Sequence, residues 1–250
     1  MRVKTVLMGA AALLLVAASA APAQTVDEIV DKSLAAMGGR AALAKVTSRH
    51  TVGTMTVSTP GGDLPGTIEV FNQAPNRVRT LINLDLSAVG AGAMTLDQRF
   101  DGTSGFAMDT MRGDGPMPAA QVENMRNTAF PTPLLAYKER GAKLALAGKE
   151  KLGDRDVYAL TLTPASGSPL RLFVDVESYL VTKAVITTEI PEMGPLEQST
   201  EFSDYRDVDG VKVPFHVKGT SAVQTFTVNL TKVEQNTTID PAVFTKPGGK

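Results

Sequence analysis

Apolar and polar residues alternate with a period of two along most of this chain, and that period predicts β-strands. The alternation is clearest between Glu201 and Gly219, where Val211, Val213, Phe215 and Val217 interleave with Lys212, Pro214, His216 and Lys218. One face of this ribbon is apolar and has to be laid on something. Asp207-Val208-Asp209-Gly210 supplies the turn before it, with Gly210 free to take positive φ. Pro214 lacks the amide that a ladder uses, which places this strand near a sheet edge or gives it a bulge. The same period marks strands at 50–58, 66–73, 77–84, 93–100, 105–109, 143–149, 155–163, 170–174, 181–189, 196–205 and 224–233. Pro60-Gly61-Gly62, Ala74-Pro75-Asn76 and Asp101-Gly102 separate the early ones with good turn chemistry.

Two regions follow a helical period instead. Val26, Ile29, Val30, Leu34 and Met37 fall on one stripe, with Thr25 ahead of Asp27 and Glu28 in the first turn and Gly38-Gly39 at the end. A short second helix is read over 40–46. A third covers 118–129, with Val122 and Met125 on its apolar side and Pro131 and Pro133 closing it. Residues 134–140 are read as one further helical turn. About eleven strands in series are too many to stay flat, so the expected fold is mainly β with covering helices (α+β). A single curled antiparallel sheet forms an unclosed barrel, wrapped on helices that cover its apolar concavity incompletely.

Composition adds a compartment. Arg2 and Lys4 precede an unbroken apolar run from Val6 to Ala18, and Ala21-Pro22-Ala23 offers a small-x-small cleavage site. Residues 1–23 therefore read as a signal peptide and 24–250 as one domain, with no linker or repeat inside it. The run is too short, and too poor in large side chains, for a good membrane span. Export to a bacterial periplasm is the expectation. With no cysteine, the chain needs no disulfides and cannot be lipid-anchored on one. Loss of Arg2 and Lys4 from a chain with 25 basic and 26 acidic side chains leaves a net charge of about −3. Without a basic cluster, that balance argues against nucleic acid or an anionic membrane as the main partner.

Catalytic chemistry is hard to find. His50 and His216 sit on the polar parity of their strands and read as solvated histidines, with no partners to make a metal site. No nucleophile elbow or phosphate loop occurs. Asp204, Asp207, Asp209 and Gly210 depart from a calcium-loop spacing and read as a tight hairpin. Glu189 with Glu192, or Asp154 with Asp156, are carboxylate pairs with nothing to hold a substrate between them. No enzyme activity, metal or cofactor is expected. Methionine stands out: Met94, Met108, Met111, Met117 and Met125 fall in one segment, flexible and polarizable side chains suited to varied apolar shapes. Gap-filling in an irregular core accounts for them equally well one by one. Tryptophan is absent and aromatics are few, which disfavours a sugar- or base-stacking site.

Four stretches together resemble the periplasmic lipoprotein-carrier family, LolA-like, in the LolA/LolB superfamily. They are Gly66 to Phe71 running into Ala74-Pro75-Asn76-Arg77-Val78-Arg79; Arg99-Phe100-Asp101-Gly102 with Phe106; Leu170 to Asp175 with Leu180 to Lys183; and Phe202 to Phe215 with Asp240-Pro241-Ala242-Val243-Phe244. The resemblance implies an unclosed eleven-stranded barrel lidded by helices, holding acyl chains in its dry concavity, with Arg77 and Arg79 beside the mouth. It also implies an inner-membrane donor and an outer-membrane acceptor as partners. The Met37-Gly38-Gly39-Arg40 segment is more typical of outer-membrane-sorting-like proteins than of the carrier itself, and the missing cysteine separates the chain from the anchored acceptor. The resulting expectation is a soluble periplasmic carrier or chaperone for lipid or lipoprotein acyl chains. Its groove would be lined by Ile68, Val70, Ile82, Met94, Met108, Met111, Leu172, Phe202, Phe215 and Phe226. The alternative is a periplasmic sensor that detects lipid on the same fold and signals to a protein partner; a secreted hydrolase would need a nucleophile and base that the sequence does not offer.

Overall fold

The computed structural model describes residues 24–190, 194–222 and 224–248, and the side chains of 188–190 are left aside. The expected signal peptide, and Glu192, lie outside the described residues. Helices α1 (Val26–Ala36) and α2 (Arg40–Lys45) come first. Strands β1 (Ser48–Thr59), β2 (Gly62–Gln73), β3 (Arg77–Asp85), β4 (Ala93–Phe100), β5 (Gly105–Asp109) and β6 (Gly115–Pro116) follow, then α3 (Ala119–Asn127). The second run comprises β7 (Lys143–Leu152), β8 (Arg155–Thr163), β9 (Leu170–Asp175), β10 (Val181–Ile190), β11 (Gly194–Val208), β12 (Val211–Ser221) and β13 (Thr225–Gln235). The segment 134–140, expected to add a helical turn, consists of turns instead.

All thirteen strands belong to one sheet, in the order β6-β5-β4-β3-β2-β1-β13-β12-β11-β10-β9-β8-β7. Every ladder is antiparallel, and each strand pairs with its neighbour in sequence except at the centre, where β1 joins β13. The sheet is barrel-like and unclosed, because its edges β6 and β7 do not pair. Yet β6 and β7 are consecutive in sequence, so residues 117–142, α3 among them, have to cross the opening from one edge to the other. Hydrogen bonds pin this strap on both sides. Toward β2–β5, Phe130 donates its amide to Pro75 O (2.9 Å), Asn76 Nδ2 reaches Arg126 O (3.2 Å) and Arg126 Nη2 reaches Thr103 O (3.2 Å). Toward β8–β9, Asn127 Nδ2 donates to Ser166 O at 2.6 Å and the Ser168 amide to Asn124 Oδ1 at 3.1 Å.

Residues opposite each other on a ladder share a face, so the registers identify a single inner face across the whole sheet. Leu160, Leu162, Leu170, Leu172 and Ala184 lie on it in β8–β10, Thr200 and Phe202 in β11, and Val217, Val228, Met55, Ile68 and Ile82 beyond. α1 packs on the β8–β9 part, burying Ile29, Val30 and Leu34 against a core that includes Leu160, Leu172, Val174 and Val211. A capping box starts the helix: Glu28 N donates to Thr25 Oγ1 (3.2 Å) and Thr25 N to Glu28 Oε2 (2.9 Å). Its C-terminal end rests on the β11–β12 turn, where Lys212 N donates to Met37 O at 2.9 Å. Gly38 has φ of 119° there, and a Cβ on it would lie 2.2 Å from Gly210 O, so only glycine permits this approach. The turn is a two-residue hairpin with Asp209 (φ 51°) and Gly210 (φ 79°) between paired Val208 and Val211, both left-handed as a type I′ turn requires.

Pro214 is not at a sheet edge, since β12 lies between β11 and β13. Its ladder with β13 covers only His216 to Thr220, so β12 and β13 part company beside Pro214 and no β13 partner awaits the amide it lacks. Across the other ladder, Asp204 (φ 52°) drops out of register between Ser203 and Tyr205. That irregularity turns the strand pair over: Phe202 and Tyr205, three positions apart, both face inward.

Candidate functional site

Between the strap and the β8–β12 part of the inner face lies a cavity of about 500 Å³. Leu162, Leu170, Leu172, Ala184, Ile186 and Phe202 form its apolar floor. Ala129, Pro131, Pro133, Tyr137 and Ala142 of the strap close it from above. The floor follows from strand alternation: Leu162 pairs with Leu170, Leu172 with Ala184, and Leu170 with Ile186, and Ala184 faces Thr200 of β11, two residues from Phe202, so one face runs across four strands. The roof is unevenly packed: Leu134 and Tyr137 are buried in the core with α1 and the β8–β9 leucines, whereas α3 is not. No residue of α3 is buried, and Val122 and Met125 are half-buried.

At the end where β12 leaves β13, the wall changes character. Arg49 of β1, Lys212 of β12 and Arg140 of the strap line the cavity there or opposite, with Tyr205 and Pro214 beside them, and no aspartate or glutamate lines it among the described residues. Arg49 is half-buried, but its Nε is sealed from solvent without a hydrogen-bond partner. Its guanidinium rests over Phe130 at 5.2 Å and donates through Nη2 to Gln235 Oε1 at 3.4 Å, and it has no ion pair among the described residues. Burial pushes its pKa down to about 10. Tyr205 donates its hydroxyl to Val181 O at 2.6 Å, and burial raises its pKa.

Of the residues named from sequence, Leu172 and Phe202 line this cavity. Ile68, Ile82, Met94 and Phe226 come together in a second cluster on the same inner face, around Met55, Val57, Leu84 and Val228. Val70, opposite Thr51 and Thr80, is half-buried on that face as well. The other three lie elsewhere. Met108 pairs with Asp97 on the outer face, Met111 is 61% exposed, and Phe215 carries the Arg206 guanidinium 4.4 Å above its ring. None of the five clustered methionines lines the cavity; Met117 is buried, tucked against Gly105.

Arg79 is engaged on the outer face, not at the cavity. It makes a two-pronged pair with Asp97 (2.8 and 2.7 Å), which Arg99 joins at 2.8 Å, and Asp97 is 3% exposed. Burial opposes ionisation of Asp97, but the two guanidinium groups outweigh it and hold its carboxyl below the usual range. Arg77 donates to Asp101 O and to Gln73 Oε1, both at 3.1 Å. His50 is not solvated: its ring lies 4.4 Å over Phe71 and bridges Glu69 (2.7 Å) and Glu234 (3.4 Å). No group of side chains suited to a metal ion occurs among the described residues. Sequence reasoning missed Arg49. A basic residue at a strand start reads as solvated, and only the tally of its partners marks it.

No family model matches this chain, and no curated protein matches it. Solved structures do. The chain is similar to the LolA superfamily protein NE2245 from Nitrosomonas europaea at 14% identity, TM-score 0.56, covering 90% of this chain and 99% of that one. A DUF1329 family protein from Desulfovibrio piger is similar at 13% identity and TM-score 0.56, covering 88% and 97%. A putative outer membrane lipoprotein-sorting protein domain from Vibrio parahaemolyticus matches at 12% identity and TM-score 0.53, covering 87% and 94%. The chain therefore has a LolA-like fold.

Proposed function

We propose that this LolA-like chain is a periplasmic carrier that takes up the acyl chain of a lipid or lipoprotein in the cavity between strap and sheet. The observation that carries the reading is the cavity itself: about 500 Å³, floored by one continuous row of leucine, isoleucine, alanine and phenylalanine. That volume lies within the range of about 300–1,000 Å³ found for small-ligand sites. Binding would be driven by burial, at about 0.8 kcal/mol for each methylene removed from water. The strap supplies the way in. Its α3 portion buries no side chain and is held by hydrogen bonds to turns, so that portion can move aside while Leu134 and Tyr137 stay anchored in the core. The similarity to a lipoprotein-sorting domain supports this class of cargo. An inner-membrane donor and an outer-membrane acceptor fit the same reading, as does export by the leader at 1–23.

Gentle purification from the native host, followed by mass spectrometry of the extracted lipid, tests the proposal. A defined amphiphile at near-stoichiometric amount is the expected result. A protein that is consistently empty, and that takes up no long-chain amphiphile when offered one, would overturn it.

A further inference from the structure

An unpaired guanidinium in the wall of an apolar cavity is costly. Buried charges are ordinarily paired, and buried polar atoms ordinarily have partners. Arg49 has an orphaned Nε, a long bond to a neutral glutamine, and the face of Phe130. Arg79 and Arg99, also partly enclosed, are ion-paired by contrast, since both share Asp97. The rest of the wall repeats the sign. Lys212 and Arg140 are cationic, and no carboxylate lines the cavity among the described residues. The charge is also segregated. The apolar floor comes from β8 to β11, whereas the cations come from β1, β12 and the strap. A planar donor fork of this kind suits a carboxylate or phosphate oxygen pair.

We infer that the cavity selects an acidic amphiphile, with Arg49 receiving an oxyanion head, carboxylate or phosphate monoester, and the β8–β11 floor receiving its tail. This rests on the carrier reading and narrows it. A neutral diacylglyceryl tail would leave Arg49 as poorly satisfied as before. An oxyanion would supply the partner that its guanidinium lacks. No covalent step is involved. The head displaces water and completes an ion pair in a site already desolvated, where such pairs are strong.

The test is competitive displacement of a neutral solvatochromic dye, run below the aggregation concentration of each ligand. Palmitate, hexadecyl phosphate, hexadecanol and inorganic phosphate are compared on the wild-type chain and on R49Q and R49K. Palmitate or hexadecyl phosphate should bind at least tenfold tighter than hexadecanol, the better of the two identifying the head. Inorganic phosphate should not displace the dye. R49Q should remove the preference, and R49K should keep part of it. Equal affinity for palmitate, hexadecyl phosphate and hexadecanol on the wild-type chain would overturn the inference and leave the carrier reading standing. So would a preference that survives in R49Q. If no tailed ligand displaces the dye, the carrier reading falls as well. The wild-type comparison decides the matter even if R49Q does not fold.

Discussion

Ala184→Phe puts the cavity to a test in which binding and stability move in opposite directions. Ala184 is half-buried in β10, opposite Leu172 and Thr200, and its side chain enters the cavity floor. A phenyl ring needs about 150 Å³, the size of an engineered cavity that accepts benzene. That is roughly a third of the 500 Å³ present. If a sixteen-carbon tail loses room in proportion, about five methylenes return to water, at ~0.8 kcal/mol each, an upper limit of ~4 kcal/mol. A tail that bends away and gives up only two loses ~1.6 kcal/mol, or about fifteenfold in affinity. Meanwhile the new ring is buried in space that was empty, which stabilises the fold by ~1.5–3 kcal/mol before its ordering cost. For a domain of this size that corresponds to a rise of about 3–12 °C in Tm. Calorimetric melting and dye displacement by palmitate measure the two effects. In a core already full, the same substitution overpacks and destabilises by ~1–3 kcal/mol. A lowered Tm with unchanged palmitate affinity would refute the existence of usable space.

Other substitutions probe what holds the site in place. Gly38→Ala should cost at least ~2 kcal/mol, because a Cβ meets Gly210 O at 2.2 Å in a backbone with φ of 119°, and chemical denaturation will show it. Gly210→Ala, also at positive φ but with open space around it, should cost about 1–2 kcal/mol by the same measurement, the left-handed strain alone. Asp97→Asn leaves two guanidinium groups without a carboxylate and should cost about 3 kcal/mol at pH 7. The sign of its pH dependence follows from its lowered pKa. The stabilisation is complete above the ordinary value of 3.8 and disappears as pH falls below that value through the depressed one. The gap in stability between wild type and Asp97→Asn should therefore narrow only below pH 4, in denaturation series run at successive pH values.

The strands were legible because period two reports burial on one face directly, and ladder after ladder falls where alternation places it. Two-residue β6 was not, since Gly115 and Pro116 are too few to show a period and pair only through Phe106 and Ala107. Pro214 was readable as a ladder breaker, but not as the point where two inner strands separate, which depends on β13 continuing along β1. Parity also carried Phe215 to the wrong face, because a left-handed Asp204 resets the alternation of its partner strand and nothing at an aspartate announces that. The floor at Leu172 and Phe202 was readable as apolar positions. Its continuation through Ala184 and Ile186, and the roof from 128–142, rest on which strands become neighbours. Arg49 shows the deeper limit. Its type and its place at a strand start are those of a solvated residue, and its significance lies in partners that are missing.

Photo-crosslinking addresses the central claim, that an acyl tail lies on the β8–β11 floor beneath the strap. A palmitate analogue with a diazirine near its methyl end would be bound, irradiated and located by peptide mass spectrometry. Labels are expected on Leu162, Leu170, Leu172, Ile186 or Phe202, suppressed by excess palmitate and reduced in Ala184→Phe. Labels confined to the outer face around Phe106 and Met108, or insensitive to competitor, would contradict that claim.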